Sequence, residues 1–518
     1  MRIVDYLDKG ASLGPDRPCF TTDGDTWTYA TVRGLADDVA RALVARSVQP
    51  GSKVAVLSGN DPLAFACVFG ISRAGGVWCP INPRNEAAEN REILDRFDCE
   101  VLLYASAYRE LVDKIRADLP GIHTWVQLDG ESDGNSLSWD EFRASDDGPD
   151  DAPDLFAPED LAMIVGTGGT TGKPKGVLLT GTNLETMTAL TLMSYPFPTR
   201  GAHPVYLALA PLTHAAGVLC FPVLASGGEI VIMRSPDVGR FLELVPERRV
   251  THTFLPPTLI YMALSHPDLD RTDLSSLQCF WYGAAPMSPT RLAEALERIG
   301  PMAQLFGQTE APMMISVLPP DEHRRSDGSI ATEVLSSAGR PSPLVTVAVM
   351  AEDGTLLPSG ERGEIVVRSS LVMAGYYKNP EATEEAGRFG WHHTGDIGYL
   401  DESGLLFIVD RAKDMIITGG FNVYSTEVEQ AILAHHAIQD CAVIGLPDEK
   451  WGERVVAVVQ PQPGEHVDSS ELTAFVKERI GSVKAPKQIE VWPDLPRSKV
   501  GKVLKTDIKA SFTSTTGR

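Results

Sequence analysis

Short runs of apolar, β-branched residues alternate with helix-period stretches through the first two-thirds of the chain. Residues 53–57, KVAVL, have the unbroken apolar character of a buried strand. Residues 61–73 carry the spacing of an amphipathic helix closed by Gly75 and Gly76. A helical pattern over 86–97 leads to a second strand pattern over 101–104. Repeated strand–helix–strand units predict an α/β fold whose sheet is largely parallel and covered by helices. Residues 161–165 read as one more short apolar strand, and the stretch GTGGTTGKPKG, residues 166–176, begins where it ends. In open α/β sheets, ligands sit at strand ends of this kind.

From about residue 345 the period shortens to alternating strands joined by tight turns such as Glu352-Asp353-Gly354 and Glu402-Ser403-Gly404, which predicts a β-rich subdomain over about 345–411. Past Arg411 the texture changes again. A loop with Gly419 and Gly420, a helix over 426–434, strands over 441–445 and 454–459 and a helix over 470–480 predict a small α+β domain. The division expected is a large N-terminal domain, 1–411, and a C-terminal domain, 412–518. The final residues, SFTSTTGR, are polar and read as frayed.

At 518 residues the chain exceeds one compact core, and about 150 residues per domain suggests some three units. The net charge of −23 is uneven, since residues 129–160 hold twelve acidic residues against Arg143, a net −11. Much of the acidity therefore reads as one solvated linker or surface loop, and an acidic chain argues against nucleic acid as a partner. Seven scattered cysteines without C-x-x-C spacing suggest neither a disulfide framework nor zinc. The opening MRIVDYLDKG lacks an apolar signal core, which points to the cytoplasm. Residues 205–225 carry no charge except on His214, but Pro211, Thr213, His214, Gly217 and Pro222 interrupt them. They read as a buried strand, a loop and a buried helix, not as a membrane span.

GTGGTTGKPKG has the glycines, hydroxyls and lysines of a phosphate cradle but fits neither common nucleotide pattern. Thr167 stands where a P-loop needs glycine and Pro174 where it needs Ser or Thr; Thr171 stands where a dinucleotide loop needs its third glycine. By itself the stretch reads equally well as a surface turn. It is followed in order by YGAAPMS (282–288), FGQTE (306–310), HHTGDIGYLDESGLLFIVDRAKDMIITGGFNVYSTEVE (392–429) and PRSKVGKVLK (496–505). This series resembles the adenylate-forming superfamily and, within it, the acyl-CoA synthetases, over nearly the whole chain.

The resemblance implies an enzyme that uses ATP, Mg²⁺ and CoA on a small carboxylic acid, as a monomer or homodimer, with a C-terminal domain that swings between two half-reactions. It implies that Thr167, Gly168, Gly169, Thr170, Thr171, Gly172 and Lys175 receive the β and γ phosphates. Gly168 stands where the family usually has serine, which removes one hydroxyl. Thr309 would contact the α-phosphate and Glu310 would bind Mg²⁺. Phe306, Gly307 and Gln308 would border the adenine beside the backbone of Gly283, Ala284, Ala285 and Pro286, and Asp396 with Arg411 would hold the ribose. Lys502 matches the lysine that contacts the carboxylate and α-phosphate during adenylation, Lys413 the hinge, and Gly419 and Gly420 the channel for the pantetheine arm of CoA. Ser425 replaces a proline often found after that loop.

The acid itself is read from fewer residues. His214, in PLTHAAG, stands where amino-acid-activating relatives carry a carboxylate, and a buried ammonium without that partner is costly, so amino acids are not expected. His214 reads equally as a gate on the pocket or as a packed aromatic ring. Val218, Tyr282, Ala311 and Met313 would line the pocket, and their apolar character favours a fatty or alicyclic acid, with aromatic acids second and transfer to an acyl carrier protein as the alternative to CoA.

Overall fold

The computed structural model describes residues 1–132, 134–144, 157, 159–167, 174–198, 202–448, 450–497 and 503–515. Among these the strands form four sheets. In the largest, Met302–Phe306, Cys279–Gly283, His252–Leu255, Val205–Ala208, Glu229–Ile232 and Pro18–Thr22 run parallel, and antiparallel strands finish both edges. In the second, a parallel run from Leu161–Thr167 through Val77–Ile81, Lys53–Leu57, Cys99–Tyr104 and Thr124–Gln127 to Leu137–Ser138 is flanked by antiparallel Lys175–Thr180 and Gly375–Tyr376.

Strand alternation sorts the apolar residues into layers. From the first sheet, Phe20, Tyr206, Ala208, Ile230, Ile232 and Trp281 join Val54, Val56, Trp78, Val101 and Leu103 of the second in one core, together with the helices Ile3–Leu13, Tyr29–Ala45, Pro62–Arg73, Gly181–Ser194 and Cys220–Ala225. The opposite faces carry separate cores. Leu207, Leu255, Phe280 and Tyr282 lie under Val238–Arg248, Pro257–Leu264 and Pro289–Arg298, while Leu57, Cys79, Leu102 and Tyr104 lie under Ala87–Arg96 and Arg109–Arg116. Each parallel sheet is therefore covered on both faces, as its uninterrupted apolar strands require. At roughly 1.5–3 kcal/mol for each large side chain, these layers supply the main stabilisation.

The expected amphipathic helix over 61–73 forms as Pro62–Arg73, capped by Asp61 Oδ1 accepting from the amides of Leu63 and Ala64. It is not amphipathic. All of it except Leu63 and Arg73 is buried, because it lies between the sheets and meets apolar neighbours on every side. Residues 205–225 fold as the strand Val205–Ala208, a loop, and the short helices Ala215–Val218 and Cys220–Ala225. No described helix is long and apolar enough to cross a membrane.

The β-rich region is a four-stranded antiparallel sheet of Thr346–Met350, Gly363–Arg368, His392–Leu400 and Leu406–Arg411. After it, Ile416–Thr418, Phe421–Val423, Ile438–Asp448, Gly452–Pro461 and Gln488–Val491 make the last sheet, with helices Ser425–Leu433, Ser469–Lys484 and Lys505–Thr515. The tail expected to fray is helical to Thr515, since Ile508 packs into a core with Ala442, Ile444, Val456 and Leu495.

Candidate functional site

The strand before GTGGTTGKPKG runs on to Thr167, and the chain returns at once as the antiparallel strand Lys175–Thr180, with Thr167 opposite Lys175. The stretch therefore joins two strands of a hairpin, whereas a P-loop leads from a strand into a helix N-terminus. Gly168, Gly169, Thr170, Thr171, Gly172 and the expected catalytic Lys502 lie outside the described residues.

Lys175 extends its ammonium over the ring of Tyr376, 4.8 Å from the centroid. Tyr376 in turn donates its hydroxyl to Glu310 Oε1 at 2.8 Å. Two motifs far apart in sequence thus meet through one aromatic ring. Burial first, and the Glu310 carboxylate second, push the Tyr376 phenol well above its ordinary pKa, so it stays a donor. Tyr376 belongs to no motif quoted above. Its one sequence signal is the glycine–tyrosine pair of a short edge strand, Gly375–Tyr376, which pairs with Leu178 and Val177 just after Lys175. His392 is buried in the same neighbourhood, where burial lowers its imidazole against the pull of Glu310.

The FGQTE turn is fixed by close approach. A Cβ on Gly307 would lie 2.2 Å from the Met313 amide nitrogen, so only glycine permits the chain to double back there. From this turn Gln308 Nε2 donates to the Thr394 carbonyl at 2.6 Å and to Asp396 Oδ2 at 2.8 Å. Asp396, with only 5% of its side chain exposed, pairs through Oδ1 with Arg411 Nε at 2.7 Å. The two are register partners on neighbouring antiparallel strands. Gln308, Asp396 and Arg411, predicted from separate motifs, form one cluster. Thr309 and Phe306 are half-buried beside it, and Ala284, Ala285 and Pro286 are exposed after the strand Cys279–Gly283. Ala284 and Met313 both hold left-handed backbone, φ +65° and +54°. Such conformations cost on the order of 1–3 kcal/mol and gather at functional sites.

His214 is half-exposed, with Nδ1 2.8 Å from Thr213 Oγ1, so it is not a core ring. Its loop is pinned by Asn60, a residue the motifs did not flag. The Asn60 Oδ1 accepts from the Leu212 amide at 2.9 Å while its Nδ2 donates to the Ala210 and Met233 carbonyls. Gly217 completes the fit, since a Cβ there would fall 1.9 Å from the Leu212 carbonyl oxygen. Val218, Ala311 and Met313 are buried in the central core. Tyr282, expected with them, faces the other way: its hydroxyl reaches His323 Nε2 at 3.0 Å and Gln304 Oε1 at 3.3 Å, and its ring packs in the outer core. The neighbour that faces the central core is Trp281, packed edge-on or tilted against Tyr195, Phe197, Tyr206 and His252. Sequence proximity selected the wrong parity, and in a strand one position reverses the face.

Lys413 is exposed in the turn Ala412–Asp414, between the four-stranded sheet and the last one. Gly419 and Gly420, with φ +57° and +80°, form the tip of the hairpin Ile416–Thr418/Phe421–Val423 beside Trp451. As to metal, no group of three or more His, Cys, Asp or Glu side chains could hold an ion among the described residues. The single carboxylate of Glu310 fits Mg²⁺ that arrives on a phosphate substrate, since that ion takes few protein ligands and keeps its phosphate and water shell.

Two family models match the chain: the AMP-binding enzyme over residues 7–377 and the AMP-binding enzyme C-terminal domain over 427–502. A medium/long-chain-fatty-acid–CoA ligase, FadD8 of Mycobacterium tuberculosis (strain ATCC 25618 / H37Rv), is 41% identical over 95% of this chain and 87% of its own. A feruloyl-CoA synthase of Amycolatopsis sp. is 35% identical over 97% and 98%. Among solved structures, the amide bond synthetase McbA of Marinactinospora thermotolerans superposes with a TM-score of 0.88 at 30% identity, covering 98% of this chain and 100% of that one. The chain belongs to the AMP-binding, adenylate-forming enzymes and is an AMP-forming acyl-CoA synthetase.

Proposed function

We propose that the enzyme joins a hydrophobic carboxylic acid, fatty or alicyclic, to CoA in two steps. The acid's carboxylate oxygen attacks the α-phosphorus of ATP and the α–β anhydride bond breaks, giving acyl-AMP and pyrophosphate. The sulfur of CoA then attacks the acyl carbonyl, AMP leaves, and the thiol proton passes to solvent. The observation that carries this reading is the convergence on one turn of the Gln308–Asp396–Arg411 cluster and the Glu310–Tyr376–Lys175 chain.

The first cluster supplies a buried carboxylate, held in one rotamer by Arg411 and Gln308, suited to accept from vicinal ribose hydroxyls. Phe306 and the exposed backbone of Ala284, Ala285 and Pro286 border the adenine. The second supplies the charge that phosphate needs. Thr309 donates to the α-phosphate, Lys175 with the residues 167–172 holds the departing pyrophosphate, and Glu310 holds Mg²⁺. When bound, Mg²⁺ neutralises phosphate charge as it develops. Donors fixed before reaction are worth most here because they need no reorganisation. Lys502 contacts the carboxylate and α-phosphate, the chain pivots at Lys413 with the domain boundary at 411/412, and Gly419 and Gly420 leave room for the pantetheine arm. His214 gates the pocket.

Val218, Ala311, Met313 and Trp281 support an apolar acid, as does the fatty-acid relative. The flat rings around Trp281 and the feruloyl-CoA synthase favour a second reading, an aromatic acid. Pyrophosphate release with MgATP, measured with octanoate, palmitate, cyclohexanecarboxylate and ferulate, with and without CoA, tests both. Acyl-CoA formed fastest from a saturated acid supports the first, and ferulate above the others moves the assignment to the second. Transfer to a carrier protein with no acyl-CoA from any acid overturns both.

A further inference from the structure

The polar contacts around Ser425 join the last strand of the β-rich sheet to the beginning of the C-terminal helix. Asp410, buried on the strand Leu406–Arg411, faces opposite to Arg411, which holds Asp396. Its Oδ2 accepts from the Ser425 amide and its Oδ1 from the Ser425 hydroxyl at 3.1 Å and the Thr426 hydroxyl at 3.4 Å. Ser425, fully buried, is the first residue of the helix Ser425–Leu433. Its oxygen also accepts from Lys505 Nζ at 2.6 Å. Lys505 pairs at 2.7 Å with Glu429 Oε1, one turn further along the same helix, and that oxygen takes the Val443 amide at 2.8 Å.

Because the Ser425 hydroxyl has one proton, its direction is settled: it receives from Lys505 and gives to Asp410. Burial by itself would weaken the Lys505 ammonium, but Glu429 and Asp410 outweigh it and hold its pKa above the ordinary value. Lys505 stands three residues after Lys502. The chain on either side of residues 498–502 is closed into a neck, where Arg497 and Val503 form an antiparallel bridge and the Leu504 amide donates to the Pro496 carbonyl at 2.8 Å. On the near side, Arg497 is fixed to Asp440 at 2.7 Å.

We propose that Ser425 is a positioning residue for adenylation: by linking Asp410 to Lys505 it sets the neck that carries Lys502 relative to the strand that carries Arg411. The inference rests on the role assigned to Lys502 above. A proline at position 425 would lack both the amide hydrogen and the hydroxyl, yet the first helical position tolerates proline. Ser425→Pro therefore removes the link without opposing the helix.

The test uses the full-length enzyme and whichever acid of the panel above releases most pyrophosphate. Ser425→Pro is expected to lower the rate of acyl-AMP formation about tenfold, the loss of ~1.4 kcal/mol of transition-state stabilisation. KM for ATP and the rate of acyl-CoA formation from supplied acyl-AMP should both stay within about twofold. Ser425→Ala should fall between, and Ser425→Thr, which keeps both donors, should restore most of the rate. Equal loss in both half-reactions, or no loss in either, overturns the positioning role. Lys502→Ala is run beside them: if it fails to separate the half-reactions, the reading of Lys502 is wrong. If it separates them and Ser425→Pro does not, the inference about Ser425 is wrong.

Discussion

The interior behind the strand Cys279–Gly283 and the seam between Asp396 and Lys505 are built on opposite terms. In the interior, Trp281, Tyr195, Phe197, Tyr206 and His252 pack ring against ring, and the Trp281 Nε1 and Tyr206 hydroxyl have no hydrogen-bond partner among the described residues. In the seam polar groups meet specific partners at close range: Asp396 pairs with Arg411, Asp410 accepts from Ser425, and Glu429 pairs with Lys505. Volume specifies the first region and partners specify the second. The first should therefore tolerate changes that keep its shape, whereas the second should respond to the loss of a single proton donor.

The largest effect should come from emptying the interior. Trp281→Ala is expected to cost about 3–5 kcal/mol of unfolding free energy, because the cavity cannot collapse against a rigid sheet. Trp281→Phe should cost less than about 1.5 kcal/mol if packing alone matters. Chemical denaturation checks both, and equal losses would mean that the volume filled at this position does not set the stability of the interior. Next in size is Lys502→Ala, expected to slow acyl-AMP formation about 10²–10³-fold while sparing the thioester step, the usual loss for one fixed donor at a developing charge. Separate assays of the two half-reactions read it directly.

Elements that repeat a period were legible in the sequence, and features set by one pairing were not. KVAVL reads as a buried strand and forms one, Lys53–Leu57, because its apolar run matches a strand covered on both faces. The helix Pro62–Arg73 was legible as a helix but not as a buried one, since burial depends on the second sheet, which no local window contains. At the site, FGQTE and TGD announce themselves by composition, yet that Gln308 bridges to Asp396 is a contact between segments 88 residues apart, which no local window contains. Tyr376 escaped because a tyrosine in an edge strand has no distinctive pattern; only its antiparallel partner next to Lys175 gives it a role. Trp281 and Tyr282 differ by a single parity step, which apolar composition cannot decide when both residues are aromatic.

Between the two regions lies Tyr376, which offers a ring to Lys175 and a hydroxyl to Glu310. Tyr376→Phe keeps the ring and removes the donor, so it separates packing from hydrogen bonding at one position. Losing a hydrogen bond to a charged group is worth roughly 1.5–3 kcal/mol, and we expect adenylation to slow about 10- to 10²-fold with little change in thermal midpoint. Because Glu310 is read as the Mg²⁺ ligand, the concentration of Mg²⁺ at half-maximal rate should shift as well. An unchanged Mg²⁺ dependence with a lowered rate would assign Tyr376 to Lys175 alone.

The smallest effect concerns the imidazole of His252 in the interior. His252 Nε2 lies 2.8 Å from the Pro196 carbonyl and Nδ1 2.7 Å from the Thr251 hydroxyl, partners that suit a neutral ring with its proton on Nε2. Burial lowers its pKa to about 4. His323, buried against Tyr282 and the Pro319 carbonyl, is lowered to about 4 for the same reason. The unfolded chain binds a proton at each near pH 6.5 and the folded protein does not, so stability falls as the pH drops from about 6.5 towards 4 and is unaffected above. Each histidine should account for about 1 kcal/mol between pH 7 and pH 5.5. His252→Gln is expected to lower stability at pH 7, where it disturbs the packing, and to remove its own share, about 1 kcal/mol between pH 7 and pH 5.5, of the loss on acidification. Denaturant midpoints of both proteins across that range decide it: parallel curves would mean that His252 accepts a proton within the folded interior, and that the core around Trp281 is wetter than its packing implies.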